Sequence, residues 1–294
     1  MREFSAFHLF VLLVAVMLTG GCRHREHQFT TDVLNSYTPV KNQRGTETCW
    51  AYAMLAAIET EHIMRGDSVH LSVAYVVQKA RQDSLMPSSM RAVGMTLINM
   101  IGRYGVVPYG AMPDDDSSPM GTIGGALPLP RFAFMEGCRY TPLEFAHSVC
   151  APGEYVGVGT TDSYPYYEEY VFDVPDNWEH NRLLNLPPDS LLRLTERAVR
   201  EGHGVCWEGD TSERGFSFKD GVAQAPFSIT PAADNHCMAI VGLAHDEEQR
   251  PYFIMKNSWG VNNPYGGLMY MSFDYFIMKT LAVFLVRDAL TPTT

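Results

Sequence analysis

The sequence predicts an α+β fold of two parts, a helical N-terminal domain followed by a sheet-rich, barrel-like C-terminal domain. Three observations lead there: helix-period apolar patterns between residues 48 and 104, short segments rich in Val, Ile, Tyr and Phe from residue 155 onward, and a Pro-, Gly- and Asp-rich stretch between the two. With 294 residues, 46% apolar and 19% charged, the chain buries enough surface to offset its conformational entropy, so a disordered chain is excluded. A net charge of -11 repels phosphate backbones, and no run of Lys or Arg counters it. Nucleic acid is therefore not expected as a partner.

Residues 1–21 read as a signal peptide. After Arg2 comes an apolar stretch, Phe7 to Leu18, of about a dozen residues, where a membrane-spanning helix needs roughly 20. The run Leu18-Thr19-Gly20-Gly21-Cys22 then resembles the lipobox of bacterial lipoproteins, with Thr19 where an aliphatic residue is more usual. Cys22 would be the lipidated first residue, placing the protein in the bacterial cell envelope, periplasmic or surface facing. Cleavage without lipidation, or a buried apolar helix, is the alternative. Residues 22–37 read as a tether, because His24 to Tyr37 is polar and without period.

Residues 38–130 make up the helical domain. Thr48 to Arg65 carries Trp50, Met54, Ala57, Ile58 and Ile63 near helical spacing and stops at Gly66. Ser72 to Arg81 and Arg91 to Tyr104 are two further helices, the second ended by Gly105 with Pro108 beyond. Met112 to Pro130 is a surface loop or domain joint; its Asp114, Asp115 and Asp116 read as a solvated acidic loop, with a cation site as the alternative.

Residues 131–294 make up the sheet-rich domain. Thr141-Pro142-Leu143-Glu144 has the cap, N1 proline and N3 carboxylate of a helix start, running to about Val149. Strands are expected at Tyr155 to Thr160, Gly204 to Trp207, His236 to Ala244, Tyr252 to Asn257, Leu268 to Ser272 and Leu281 to Val286, with one helix from about Asp189 to Glu201.

The most informative run is Gln43-Arg44-Gly45-Thr46-Glu47-Thr48-Cys49-Trp50. A Cys in the first turn of a helix faces unpaired amides and the positive end of the macrodipole, which favours the nucleophilic thiolate. A lone Cys is more often a small buried hydrophobe. Here three other segments accompany it: Gln43 six residues upstream, His236 opening the small apolar run Cys237-Met238-Ala239-Ile240-Val241-Gly242, and Asn257-Ser258-Trp259-Gly260. Order and context resemble the papain-like cysteine peptidases.

That resemblance implies a cleft between the two domains, and a peptide or protein as substrate. It implies Cys49 as nucleophile, His236 as general base and then acid, Asn257 orienting the imidazole, and Trp259 shielding that bond. Gln43 and the Cys49 amide would donate to the oxyanion. Trp50 completes the Cys-Trp motif in a supporting role. No metal or organic cofactor is implied.

Two features depart from the secreted and lysosomal enzymes. Thr46-Glu47-Thr48 replaces the Cys-Gly-Ser or Cys-Gly-Ala before the nucleophile, and Cys49 and His236 are 187 positions apart rather than about 130 to 150. Only 26 residues separate Cys22 from Cys49, too few for an inhibitory prosegment. Leu71-Ser72-Val73-Ala74-Tyr75, Tyr104-Gly105-Val106-Val107-Pro108, Asn185-Leu186-Pro187 and Gly204-Val205-Cys206-Trp207-Glu208-Gly209-Asp210 are similar to the bleomycin-hydrolase and aminopeptidase C branch. That branch uses a C-terminal arm to bind the substrate's free amine. Here only Asp288 to Thr294 follow the last expected strand, so the aminopeptidase ruler and its hexameric cage do not carry over directly, and the oligomeric state stays open. An aminopeptidase acting on short peptides and a non-catalytic peptide-binding lipoprotein of the same fold are the rival readings.

Of the remaining cysteines, Cys138, Cys150, Cys206 and Cys237, buried free thiols are the favoured reading and two disulfides the other. Strand alternation predicts that Cys237 points away from the reaction.

Overall fold

The computed structural model describes residues 28–84, 86–114 and 128–291. The signal peptide, Cys22, the first part of the tether, Asp115, Asp116 and the last three residues lie outside the described residues.

In chain order the first half holds β1 (Phe29–Leu34), α1 (Cys49–Met64), α2 (Val73–Gln82), α3 (Gly94–Tyr104), the hairpin β2 (Ala133–Met135) and β3 (Cys138–Tyr140), and α4 (Pro142–Val149). Then follow β4 (Tyr155–Gly159), β5 (Glu169–Val171), β6 (Arg182–Asn185), α5 (Pro188–Arg200), β7 (Val205–Gly209), β8 (Phe216–Ser217) and β9 (Val222–Ala223). The chain continues through β10 (His236–Asp246), β11 (Pro251–Lys256), β12 (Leu268–Ser272), α6 (Phe273–Lys279) and β13 (Thr280–Val286). The helices start where their caps allow. Ser72 accepts from the Tyr75 amide at 3.0 Å, and Thr141 and Glu144 form the expected capping box.

The large sheet runs β5-β6-β4-β13-β7-β10-β11-β12-β9-β8, with β1 added alongside β10, and this path does not close into a complete barrel. β10 is its spine: its first half pairs with β7 and its second with β1. Helix α1 packs across β10 and β7 and is buried from Trp50 to His62, which is why its apolar residues surround the axis instead of forming a stripe. The approach to β7 is so close that a Cβ on Gly204 would fall 1.9 Å from the Ala57 carbonyl oxygen. Helix α1 is thereby held over the sheet, with its N-terminus above the start of β10.

Four expectations need correction. Within the 22–37 tether, residues 29–34 form β1; Phe29 stacks on Tyr270 at 3.9 Å and 6° and meets Tyr252 edge-on, so one aromatic docks an otherwise exposed edge strand that has no readable period. In the 131–294 sheet-rich part, α4 sits with the helices: the Val106 amide donates to the Pro142 carbonyl, and α4 packs on α3. Asp114 is not solvated; its carboxylate accepts from the Ala74 amide at 3.0 Å in the first turn of α2 and lies 3.6 Å from Lys41, because that amide has no helical acceptor. Among the described cysteines all are free, but Cys138 is exposed on the two-stranded hairpin while Cys150, Cys206 and Cys237 are buried. No helix among the described residues is long and apolar enough to cross a membrane.

Candidate active site

Cys49 is the first residue of α1, so its sulfur lies beside amides that the helix leaves without carbonyl partners. Trp50 is fully buried, and its Nε1 donates to the Met90 carbonyl at 2.9 Å, fastening the helix start to the loop before α3. It supports the site without touching the reacting atoms.

His236 opens β10 and Asn257 follows β11, so two adjacent strands bring them together. The His236 Nε2 lies 2.9 Å from the Asn257 Oδ1. That oxygen also accepts from the Ser258 amide at 2.7 Å, which fixes it as an acceptor and makes the imidazole Nε2 the donor. Nδ1 is then the nitrogen left for the Cys49 sulfur, whose pKa His236 helps to lower. Trp259 lies over the imidazole, ring centroids 4.5 Å apart, and is itself met edge-on by Phe216 and Phe218. A cavity of about 590 Å³ opens on its other side, lined by Asn42, Arg44, His70 and Tyr109 among others.

The Cys49 thiol is held well below the ordinary thiol range. The largest cause is a hydrogen bond from Cys237; burial opposes it, and the hydrogen bond and charge of His236 add to it. Cys237 therefore does not point away from the reaction. It lies on the face of β10 that carries Ala239 and Val241, the face Ala56 of α1 packs against, so the helix N-terminus falls above it. His236, as the strand's first residue, reaches the sulfur from the strand end. Burial first, then its bonds to Cys206 and Cys49, raise the Cys237 thiol well above the usual range, so it remains a protonated donor.

Gln43 is buried and pinned from both sides. Its amide nitrogen Nε2 donates to the Thr46 carbonyl at 2.7 Å, its Oε1 accepts from the Ser258 hydroxyl, and its backbone amide donates to the Ser258 carbonyl at 2.7 Å. One Nε2 hydrogen remains for a ligand.

Two carboxylates near the sulfur went unread at the sequence level. Glu208, wholly buried in β7, sits opposite Cys237 in register, and Asp234 lies two residues before His236. A charged residue inside the apolar run Val205-Cys206-Trp207 was the available signal. A second buried network lies behind Asn257: Lys256 Nζ donates to the Thr38 hydroxyl at 2.8 Å, and that hydroxyl donates to Glu59. Among the described residues no group of three or more His, Cys, Asp or Glu is placed to hold a metal ion.

Residues 137–280 match the sequence model of the papain family cysteine proteases, a segment that contains His236, Asn257 and Trp259 but not Gln43 or Cys49. No curated protein matches the sequence. Among solved structures the chain is similar to PepW from Lactobacillus rhamnosis HN001, at 15% identity over 97% of this chain and 90% of that one, with a TM-score of 0.66. It is similar to the bromelain protease of Ananas comosus in complex with the E64 inhibitor, at 17% identity, 85% and 94% coverage and a TM-score of 0.51. It is also similar to the ragweed pollen allergen Amb a 11, a cysteine protease in its proform, at 18% identity, 88% and 66% coverage and a TM-score of 0.54. At such identities these likenesses speak for the papain-like fold, and within it residues 137–280 are a papain family cysteine protease segment.

Proposed function

We propose that the chain hydrolyses peptide bonds through a thiolate acyl-enzyme. One observation carries the reading: a single imidazole, bonded through Nε2 to Asn257, is also near enough to a sulfur at the N-terminus of a buried helix to lower its pKa. The Cys49 thiolate attacks the scissile carbonyl while Nδ1 of His236 holds the thiol proton. The oxyanion takes donors from the free Nε2 hydrogen of Gln43 and the Cys49 amide, a contact worth about 3 to 4 kcal/mol of barrier. Collapse expels the amine, which His236 protonates, and water attacks the thioester with His236 as base. Asn257 keeps the ring in the tautomer this requires.

The test is alkylation of the purified, reduced protein with a peptidyl epoxide, mapped by mass spectrometry, beside hydrolysis of a peptide library with Cys49→Ala as control. Label on Cys49 and cleavage abolished in the variant are expected. Absence of label would favour a binding module that kept the fold. Peptides cut only with a free amine, and not when N-blocked, would make the enzyme an aminopeptidase. We further propose attachment to the bacterial cell envelope through lipid on Cys22, supported by the run Leu18 to Cys22. Intact-mass analysis of the membrane fraction should find diacylglycerol there, and an unmodified mature N-terminus would refute it.

A further inference from the structure

Gln43 and Asn257 arrive on one hydrogen-bonded unit. The Gln43 amide donates to the Ser258 carbonyl at 2.7 Å, the Gly260 amide to the Lys41 carbonyl at 3.1 Å, and the Ser258 hydroxyl to the Gln43 Oε1. Cys49 arrives separately, on helix α1. Where α1 meets the sheet the residues are small: Ala56 clusters with Ala239 and Val241, and the Ala57 backbone comes against Gly204. Small side chains permit close approach but interlock little, so this packing fixes poorly how far the helix lies along its axis.

Glu59 joins the helix to the unit. It is buried, and it stands ten residues along α1 from Cys49, about 15 Å. Its Oε1 accepts from the Leu71 amide at 2.7 Å and lies 3.8 Å from the Lys41 Nζ, while its Oε2 accepts from the Thr38 hydroxyl. That hydroxyl accepts in turn from the Lys256 Nζ at 2.8 Å, and the Lys41 Nζ donates to the Leu71 carbonyl at 2.9 Å. Lys41 is two residues before Gln43, and Lys256 directly precedes Asn257. The gap these groups enclose with Tyr52, Ala53 and Asn257 is only about 10 Å³, which leaves the joint little room to settle elsewhere.

We propose that Glu59 is a positioning residue of the active site: through Thr38, Lys41 and Lys256 it sets the reach from Cys49 to Gln43 and to the His236–Asn257 pair. It touches neither substrate nor reacting atoms. A carboxylate among ammonium and hydroxyl donors can set that reach more sharply than alanine contacts, because charge-assisted bonds are short and directional. Attack on a carbonyl is sensitive to such placement, a shift of about 1 Å being enough to cost about 10²-fold. The role rests on the peptidase reading above.

The experiment measures kcat and KM per active site, with sites counted by titration with a peptidyl epoxide, and records a thermal melt of each protein. Thr38→Val keeps the size and charge of the joint but cuts Glu59 from Lys256; kcat per titrated site should fall about tenfold with KM little changed. Thr38→Ser keeps the hydroxyl and should recover most of the rate. Glu59→Gln should lose at least as much as Thr38→Val. Lys256→Met should be slower per site without being less stable, a combination that poorer folding cannot produce. A purely structural role would lower the melting temperature and the number of titratable sites and leave kcat per site at the wild-type value. That result in Thr38→Val would overturn the positioning role alone, whereas a wild-type protein that neither labels at Cys49 nor cleaves peptides would overturn the peptidase reading and the role with it. The Thr38 pair decides the matter even if Glu59→Gln does not fold.

Discussion

His236 and Asn257 are joined by a hydrogen bond whose acceptor is itself fixed: the Asn257 amide cannot flip without losing the Ser258 amide, and its Nδ2 rests 3.3 Å from the Met269 sulfur. The imidazole is thereby restricted to one tautomer before any substrate arrives. Asn257→Ala should lower kcat/KM by about 10²-fold, chiefly in kcat. Asn257→Gln, which moves the oxygen by one methylene, should not restore it. Steady-state kinetics on a cleaved peptide check both.

Cys237 donates to the thiolate from below. Cys237→Ala removes that donor, so the Cys49 pKa should rise and the acid limb of its alkylation rate should move to higher pH. Activity near pH 6 should drop several-fold, with a smaller loss near pH 8 where thiolate is more abundant in either protein. Cys237→Ser keeps a donor and should recover most of the effect. The readout is iodoacetamide labelling of Cys49 across pH.

Gln43→Ala should cost about 10²- to 10³-fold in kcat. Simple alkylation builds no tetrahedral oxyanion, so iodoacetamide should still label Cys49. A matching loss of both would mean that the residue matters for folding of the Pro39–Thr46 segment instead.

Lys256 is buried with its ammonium on Thr38, and burial lowers its pKa to about 8. The native protein therefore loses this proton earlier than the unfolded chain does. Between about pH 8 and 10 the unfolded state binds more protons, and by linkage stability rises with pH across that window. The gain attributable to Lys256 is on the order of 2 to 3 kcal/mol. Lys256→Met should be the more stable protein at pH 7, and its advantage should shrink as the pH approaches 10. Thermal melts of the pair at matched ionic strength measure the difference.

The helices were legible because their signals are local: Ser72 and Thr141 cap, Gly105 stops, and each acts within a turn. Gln43, Cys49, His236 and Asn257 were legible as motifs, and the fold brings these four into one neighbourhood. Cys237, Glu208 and Asp234 were not, since their meaning depends on a cross-strand register between β7 and β10 and on where α1 ends above it. Helix α6 was missed for a related reason. Its Lys279 is wholly buried and ion-paired with Glu213, so neither its polarity nor its period reports on its surroundings. β1 shows the opposite difficulty, a mostly exposed strand held by Phe29 against partners more than two hundred residues away.

The register of β1 on β10 has a mechanical corollary. Phe29 stands opposite Asp246, at the far end of the strand from His236. Ten residue steps at roughly 3.3 Å put about 33 Å of strand between the level of Phe29 and His236. A force applied at Phe29 itself would therefore act on the fold about 3 nm from the imidazole, at the other end of β10.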